Sequence, residues 1–400
     1  VNGIAVLAYS GGLDTSCAIA WLKEDYGFEE VVAVLVDVGQ EASFHPAIER
    51  GKLAGADDVM LLDRKEAFAD EQVAKALLAN ALYEEKYPLV SALSRPVIAE
   101  AVAEVALELG ADAVVHGCTG KGNDQLRFEL AFKAKYPGVK VIAPLRDRVW
   151  TRDAEIAYAE ARGIPVEARA ESPYSVDDNL FGRAIEAGIL EDPWTAPPEE
   201  AFLLTGDPSA APAPTDVVVS FDQGLPVSLD GEELPLYALV GVLNERAGAY
   251  GIGRIDMIEN RAVGIKSREL YEAPAALALI AAHRALEELV LTKGELVAKR
   301  ELEPKWAKLV YDGGWFAPVR SAYDAFFAVT QELVTGDVRM SLQPGVAVVS
   351  GRRSEHALYS ESLASYGIGE TFPHDAAAGF IGITALETDL VAARKRVQVA

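Results

Sequence analysis

Through the first 165 or so residues, short apolar runs alternate with longer stretches whose apolar positions recur at helical spacing. The runs Ile4 to Tyr9, Val31 to Val36, Val59 to Leu62, Ala113 to His116 and Val139 to Ile142 predict strands. Between them, Thr15 to Glu24, Glu66 to Ala79, Pro96 to Leu109 and Asp124 to Lys135 are rich in Ala and Glu and predict helices. This alternation specifies an α/β fold, a parallel sheet with helices on both faces, whose ligands bind beyond the carboxyl ends of the strands. From about residue 170 the pattern changes. Asp192 to Pro214 carries six prolines and reads as an irregular connection. Val217 to Phe221, Val227 to Leu229, Val338 to Leu342 and Val346 to Val349 predict strands, and Ala275 to Leu291 a long helix, together an α+β arrangement. Leu386 to Val397 predicts a terminal helix. The expected plan is an N-terminal α/β domain over 1–168, a second domain over 169–380 and a C-terminal helical arm over 381–400. No repeat of solenoid length is present.

The chain has 400 residues, half of them hydrophobic and about a quarter charged, a globular composition large enough for two domains. No apolar run approaches the roughly 18 residues that span a bilayer, and no basic leader with a cleavage site is visible, so a cytoplasmic protein without a membrane partner is expected. Cys17 and Cys118 form no C-x-x-C pair, which fits a reducing compartment. The formal charge of −24 argues against nucleic acid as a partner, because backbone binding needs concentrated basic charge. A small anion is not excluded: with a Debye length of about 8 Å, distant acids are screened and local cations decide. Arg95, Lys121 and Arg127 are the candidates.

The first predicted strand runs straight into Ala8-Tyr9-Ser10-Gly11-Gly12-Leu13-Asp14-Thr15-Ser16. Two glycines and a hydroxyl cluster at a helix start form a phosphate cradle: glycine lets the backbone approach an anion, and the free N–H groups and dipole face it. A plain helix cap by Asp14, Thr15 or Ser16 is the alternative. A carboxylate beside phosphates is repulsive unless a cation bridges them, so Asp14 implies Mg²⁺ with a nucleotide. Neither G-x-x-x-x-G-K-[ST] nor G-x-G-x-x-G is present at this strand end.

A second loop, His116-Gly117-Cys118-Thr119-Gly120-Lys121-Gly122-Asn123-Asp124, follows another strand and should face the same crevice. It lacks the spacing and the Ser/Thr of a Walker loop. Its polar content exceeds that of a simple turn. Asn123 offers a donor and an acceptor, Arg127 lies one turn further along the same helix face, and Asp124 can pair with an ammonium group. Such a site suits an amino acid; a solvated loop capped by Asn123 or Asp124 is the plainer alternative.

The string S-G-G-L-D-T-S resembles the pyrophosphate loop of the N-type ATP pyrophosphatases. Together with H-G-C-T-G-K-G-N-D-Q-x-R-F-E, Leu82-Tyr83, Tyr87-Pro88, Arg95-Pro96, Ser172-Pro173-Tyr174-Ser175, Glu191-Asp192-Pro193-Trp194, Glu259-Asn260-Arg261 and Lys266 through Glu272, it is similar to argininosuccinate synthase from residue 5 to about 380. The resemblance implies an adenine nucleotide alpha hydrolase-like first domain and ligation of citrulline to aspartate with ATP and Mg²⁺, releasing AMP and pyrophosphate, in a cytoplasmic homotetramer. It assigns Ala8, Tyr9, Ser10, Gly11, Gly12, Leu13, Asp14, Thr15, Ser16 and Gly117 to ATP. Thr119, Asn123 and Asp124 would hold aspartate. Tyr87, Asn123, Arg127, Ser175, Glu259 and Tyr271 would contact citrulline. Asp14, as the metal contact, and Lys121 would be the catalytic side chains, with no protein nucleophile required. Ala92 and Ala184 stand where many members carry serine, and Val36 where many carry alanine.

Related loops occur in glutaminase-coupled enzymes and in transfer-RNA thiolation enzymes. The loop follows Val1 so closely that no glutaminase ahead of it is expected, and no separate Cys-His-Glu set is visible downstream. Cys17 and Cys118 read as small packing residues rather than reactive thiols. His116 reads as a buried strand histidine, and His45, His283, His356 and His374 show no metal spacing. A non-catalytic ATP sensor would leave Asn123, Arg127 and Glu259 without a purpose.

Overall fold

A computed structural model describes residues 3–40, 44–147, 152–165, 174–367 and 371–397. Ser172 and Pro173 of the motif above, and the expected boundary between residues 168 and 169, lie outside the described residues. The chain forms two compact units, Val1–His356 and Ala357–Ala400.

In the first unit, β1 (Ile4–Ala8), β2 (Glu30–Asp37), β3 (Asp58–Asp63), β4 (Ala113–His116) and β5 (Lys140–Ile142) form a parallel sheet in the order β3-β2-β1-β4-β5. Side chains of a strand alternate between faces, and both faces here are covered. Ala5, Leu7, Val31, Ala33 and Leu35 pack with Leu13, Cys17 and Trp21 of the helix Leu13–Glu24. Val6, Ala8, Val32, Val34 and Val36 pack on the other side with Val97, Ala101 and Val102 of the helix Val90–Glu108. The strand order reverses between β1 and β4, which opens the crevice in which such sheets bind ligands.

The helix Val90–Glu108 begins six residues before the expected start at Pro96. Leu89, at φ +64, turns the chain into it, and the Tyr87 hydroxyl accepts from the Ser91 N–H at 2.9 Å, satisfying one donor of the first turn. Pro96 therefore sits inside the helix, where it removes one backbone bond. The helical stretch expected over 66–79 is interrupted by a π-helical segment, Phe68–Val73.

Beyond the first sheet, two antiparallel sheets share the unit. One has the order β10-β9-β8-β13-β14, from β8 (Thr215–Asp222), β9 (Leu225–Leu229), β10 (Glu232–Glu233), β13 (Gly336–Gln343) and β14 (Val346–Arg353). The other has the order β11-β12-β7-β6, from β6 (Ser175–Asn179), β7 (Gly182–Glu186), β11 (Arg254–Asn260) and β12 (Lys266–Glu272). Val217, Val219, Phe221 and Leu279 join the core cluster that contains Val6 and Val34, so one apolar core runs from the parallel sheet into the antiparallel part. Between Asp192 and Pro214 the backbone makes only short 3₁₀ turns, Glu199–Ala201 and Pro208–Ala210.

In the second unit, the helices His374–Thr384 and Leu386–Val397 follow one another. Residue 381 lies inside the first of them. Among the described residues no single helix is long and apolar enough to cross a membrane; this consecutive pair, bent by 41°, passes by length and composition only.

Candidate active site

Gly11 has φ +78, and a Cβ there would lie 2.5 Å from the Ala47 Cβ, so glycine alone fits the turn that follows β1. Gly12 caps the helix Leu13–Glu24 in extended conformation and contributes no side chain, which leaves the first-turn N–H groups facing the crevice. Hydroxyls brace the loop from within: Ser10 and Thr15 lie 3.0 Å apart, Tyr9 and Ser16 also 3.0 Å, and Ser16 donates to the Gly12 carbonyl at 2.7 Å. Arg50, buried on the helix Phe44–Leu53, donates to the Gly11 carbonyl. Asp14 is half-buried in the first turn.

The second loop lies directly alongside. Strands β1 and β4 pair in parallel with Ala8 opposite His116, and a Cβ on Gly117 would lie 2.6 Å from Thr15 Cγ2. Thr119 and Lys121 are exposed beyond it. Asn123 and Asp124 lead into the helix Asp124–Lys135, where Arg127 is buried.

These side chains converge with residues from β11, β12 and β6. Asn123 donates to the Tyr311 hydroxyl at 2.8 Å and accepts from the Ala262 N–H at 2.9 Å. Glu259 accepts from the hydroxyls of Tyr271 and Tyr311, both at 2.7 Å. Tyr87 stacks on Tyr271 with ring centroids 4.1 Å apart. Asp124 accepts from Arg95 and Arg127, each at 2.8 Å, and Arg95 also reaches Asp177 at 2.8 Å. Ser175 is two residues before Asp177 in β6 and so shares its face, but it is exposed at the strand's start. Five of the expected amino-acid contacts, Tyr87, Asn123, Arg127, Glu259 and Tyr271, are therefore in one buried cluster. Asp124 adjoins it, while Ser175, Thr119 and Lys121 are solvent-exposed.

Electrostatics give the cluster a defined charge pattern. Burial alone would raise the Asp124 carboxyl, but Arg95 and Arg127 outweigh it and hold it below the usual range. Burial pushes the Glu259 carboxyl up, against the Tyr271 and Tyr311 hydrogen bonds. Arg261 pairs with Glu186 and with Glu269, the latter at 2.6 Å, so a second ionic group flanks the first. Cys118 is not a poised nucleophile, since burial pushes its thiol up, and Cys17 is fully buried. Among the described residues no group of three or more His, Cys, Asp or Glu side chains could hold a metal ion.

Residues 4–165 match the Arginosuccinate synthase N-terminal HUP domain and residues 174–391 the Arginosuccinate synthase C-terminal domain. The chain belongs to the argininosuccinate synthase family. It is 52% identical over 384 residues to argininosuccinate synthase of Bacillus licheniformis, covering 96% of this chain and 95% of the relative. The protein of that name from Halalkalibacterium halodurans is 51% identical over 384 residues, with 96% and 93% covered.

Two features of this argininosuccinate synthase fold escaped sequence reasoning. Tyr311 ends a long helix, Lys293–Tyr311, that lies outside every motif, and no local signal marks its hydroxyl as a partner of Glu259. Arg50 lies in a short helix outside every motif, and it braces the glycine loop by donating to the Gly11 carbonyl. Ala92 is fully buried on the helix Val90–Glu108, and Ala184 faces Tyr271 in the β7–β12 ladder.

Proposed function

We propose that the chain ligates citrulline to aspartate at the expense of ATP, forming argininosuccinate, AMP and pyrophosphate in arginine biosynthesis. The observation that carries this reading is the contact between the two loops: Gly117 against Thr15 brings a phosphate cradle beside a buried amino-acid constellation. Citrulline's ureido oxygen attacks the α-phosphorus of ATP, pyrophosphate leaves, and the amine of aspartate displaces AMP from the citrullyl adenylate. Such transfers depend on positioning and charge stabilisation rather than on a protein nucleophile.

Residues Ala8 through Ser16 and Gly117 would hold ATP, with the first-turn N–H groups on its phosphates. Lys121, exposed at the crevice, is suited to the charge developing on the leaving pyrophosphate. Tyr87, Asn123, Arg127, Ser175, Glu259 and Tyr271 would bind citrulline, and Thr119, Asn123 and Asp124 aspartate. Asp124 already accepts two guanidinium bonds, yet a carboxylate has about four acceptor positions and can still take an ammonium group. Asp14 is a single carboxylate beside the cradle, which fits Mg²⁺ carried by nucleotide phosphates and water and not an all-protein cage. When bound, Mg²⁺ would neutralise phosphate charge.

The division into a nucleotide-binding domain over 1–168, a substrate and oligomerisation domain over 169–380 and a C-terminal arm over 381–400 belongs to the same proposal. A homotetramer is supported by the exposed Phe380, Ile381, Ile383 and Leu390 of the second unit, apolar side chains that subunit association would cover. A cytoplasmic location fits the composition.

Citrulline labelled with ¹⁸O in its ureido group tests the chemistry. Label is expected in AMP. Label recovered in pyrophosphate or water instead of AMP, or pyrophosphate released without citrulline, overturns the assignment.

A further inference from the structure

Tyr311 is the last residue of the helix Lys293–Tyr311, a position that leaves its carbonyl outside the intrahelical bonding pattern. That carbonyl accepts both Arg127 Nε at 3.1 Å and Nη2 at 3.0 Å. The negative end of the helix dipole meets a guanidinium there, a favourable pairing. Gly313, at φ +82, takes the left-handed turn that follows the helix, a conformation that favours glycine. At the other end of the same residue, the hydroxyl donates to Glu259 Oε1 at 2.7 Å and accepts from Asn123 Nδ2 at 2.8 Å. The ring between them is clamped. It stacks on Tyr83, centroids 3.6 Å apart and planes 7° apart, and meets Tyr87 edge-on at 6.2 Å.

One residue thus touches Asn123 and Arg127, at the start of the helix Asp124–Lys135, and Glu259 near the end of β11, two separate stretches of chain. Because Asn123 donates to Tyr311 and accepts from the Ala262 N–H, its amide has only one orientation that satisfies both partners. The Tyr311 proton committed to Glu259 fixes that carboxylate at one position and favours its ionised form, against the burial that pushes its pKa up.

We propose that Tyr311 is a positioning residue for the amino-acid substrate bearing a terminal ureido group: its hydroxyl and carbonyl set Asn123, Glu259 and Arg127 in the arrangement that captures it. This rests on the functional reading above. Phenylalanine in its place keeps the clamped ring and the carbonyl but leaves a buried carboxylate oxygen and an amide without the hydroxyl. A hydrogen bond to a charged group is strong enough that its loss should be felt as roughly tenfold or more.

The test is steady-state kinetics of the full chain and of Tyr311→Phe, with the KM for citrulline, aspartate and ATP measured separately and thermal unfolding followed in parallel. The expected result is a citrulline KM raised roughly tenfold or more, an ATP KM unchanged within about twofold, and an acid limb of the citrulline kcat/KM profile moved to higher pH, because Glu259 has lost a donor to its ionised form. An unchanged citrulline KM, an equal rise for ATP, or an unmoved acid limb overturns the role. A lower citrulline KM also overturns it, showing that the hydroxyl competes with substrate instead of orienting its partners. Wild-type protein with no citrulline-dependent turnover overturns the reaction assignment itself, a result distinct from wild-type turnover with an unaffected variant. If Tyr311→Phe loses its helical circular-dichroism signal, Tyr311→Leu, which also lacks the hydroxyl and keeps the backbone carbonyl, is measured by the same criteria.

Discussion

Gly117 and Thr15 are in such close apposition that a single added methyl on Gly117 would sit 2.6 Å from Thr15 Cγ2. Thr15 cannot yield easily. It is β-branched, and its hydroxyl is tied to Ser10 at 3.0 Å and to the Gly12 carbonyl at 3.3 Å. Gly117→Ala should therefore push the two loops apart and lower kcat/KM for ATP by roughly 10²-fold, with little change in global unfolding. Nucleotide titration and denaturant unfolding of the variant check both halves; normal ATP kinetics would show that the contact is not used in catalysis.

Asp14→Asn preserves size in the first turn of the helix Leu13–Glu24 and removes a charge. Adenylation should fall roughly tenfold, and the Mg²⁺ concentration needed for half-maximal rate should rise. Pyrophosphate release measured across a Mg²⁺ series reads this directly. An unaltered Mg²⁺ profile would remove Asp14 from metal binding.

His116 is fully buried, its Nδ1 accepting from the Cys118 N–H at 3.2 Å and its Nε2 without a hydrogen-bond partner, 3.7 Å from Glu129. Burial pushes its pKa down to about 4, against the pull of Glu129. In the unfolded chain the imidazole titrates near 6.5. Above about pH 6.5 neither state is protonated and the full stability is present; as pH falls towards 4, the unfolded state takes up the proton first and stability drops. The loss from this group amounts to about 3 kcal/mol. Urea unfolding at several pH values should show a shallower acid decline in His116→Gln than in the wild type, whereas parallel curves would mean that His116 contributes nothing to it.

Lys299, 1% exposed, bridges Glu287 at 2.9 Å and Glu303 at 2.8 Å, and Asn80 donates to both carboxylates at 2.7 Å. Removing the ammonium leaves buried Glu287 with amide donors from Asn80 and Gln331 but, among the described residues, no lysine or arginine partner, while Glu303 keeps only Arg284 at 3.3 Å as a cation. Lys299→Met should cost about 3–5 kcal/mol, visible as a lower Tm, because breaking a buried ion pair from one side leaves uncompensated charge. The triple variant with Glu287→Gln and Glu303→Gln should recover part of that loss; no recovery would argue that packing, not charge, sets the cost.

The sequence by itself determined the first sheet and the glycine turn that leads from β1 into a helix. Alternation places Val6 and Ala8 on one face of β1 and Ala5 and Leu7 on the other, while the glycine pair and the helix that follows it are adjacent in the chain. Local periodicity and turn chemistry suffice for such features. Asp124 to Lys135 and Leu386 to Val397 were legible as helices for the same reason. The strands β11 and β12 were visible as motif residues but not as strands. Their polar, charged positions, Arg254 to Asn260 and Lys266 to Glu272, mask the apolar alternation, which becomes evident only when β12 pairs with β7.

Only the tertiary structure decided which side chains share the buried cluster around Glu259. Tyr311 is 52 positions from Glu259 and 184 from Arg127, and the hydrogen bonds between them exist only because the helix Lys293–Tyr311 ends against the helix Asp124–Lys135. The helix carrying Tyr311 is specified by its own sequence. Which buried carboxylate its hydroxyl satisfies is fixed by packing between distant segments, since a buried polar group takes whatever partner the folded core brings within reach.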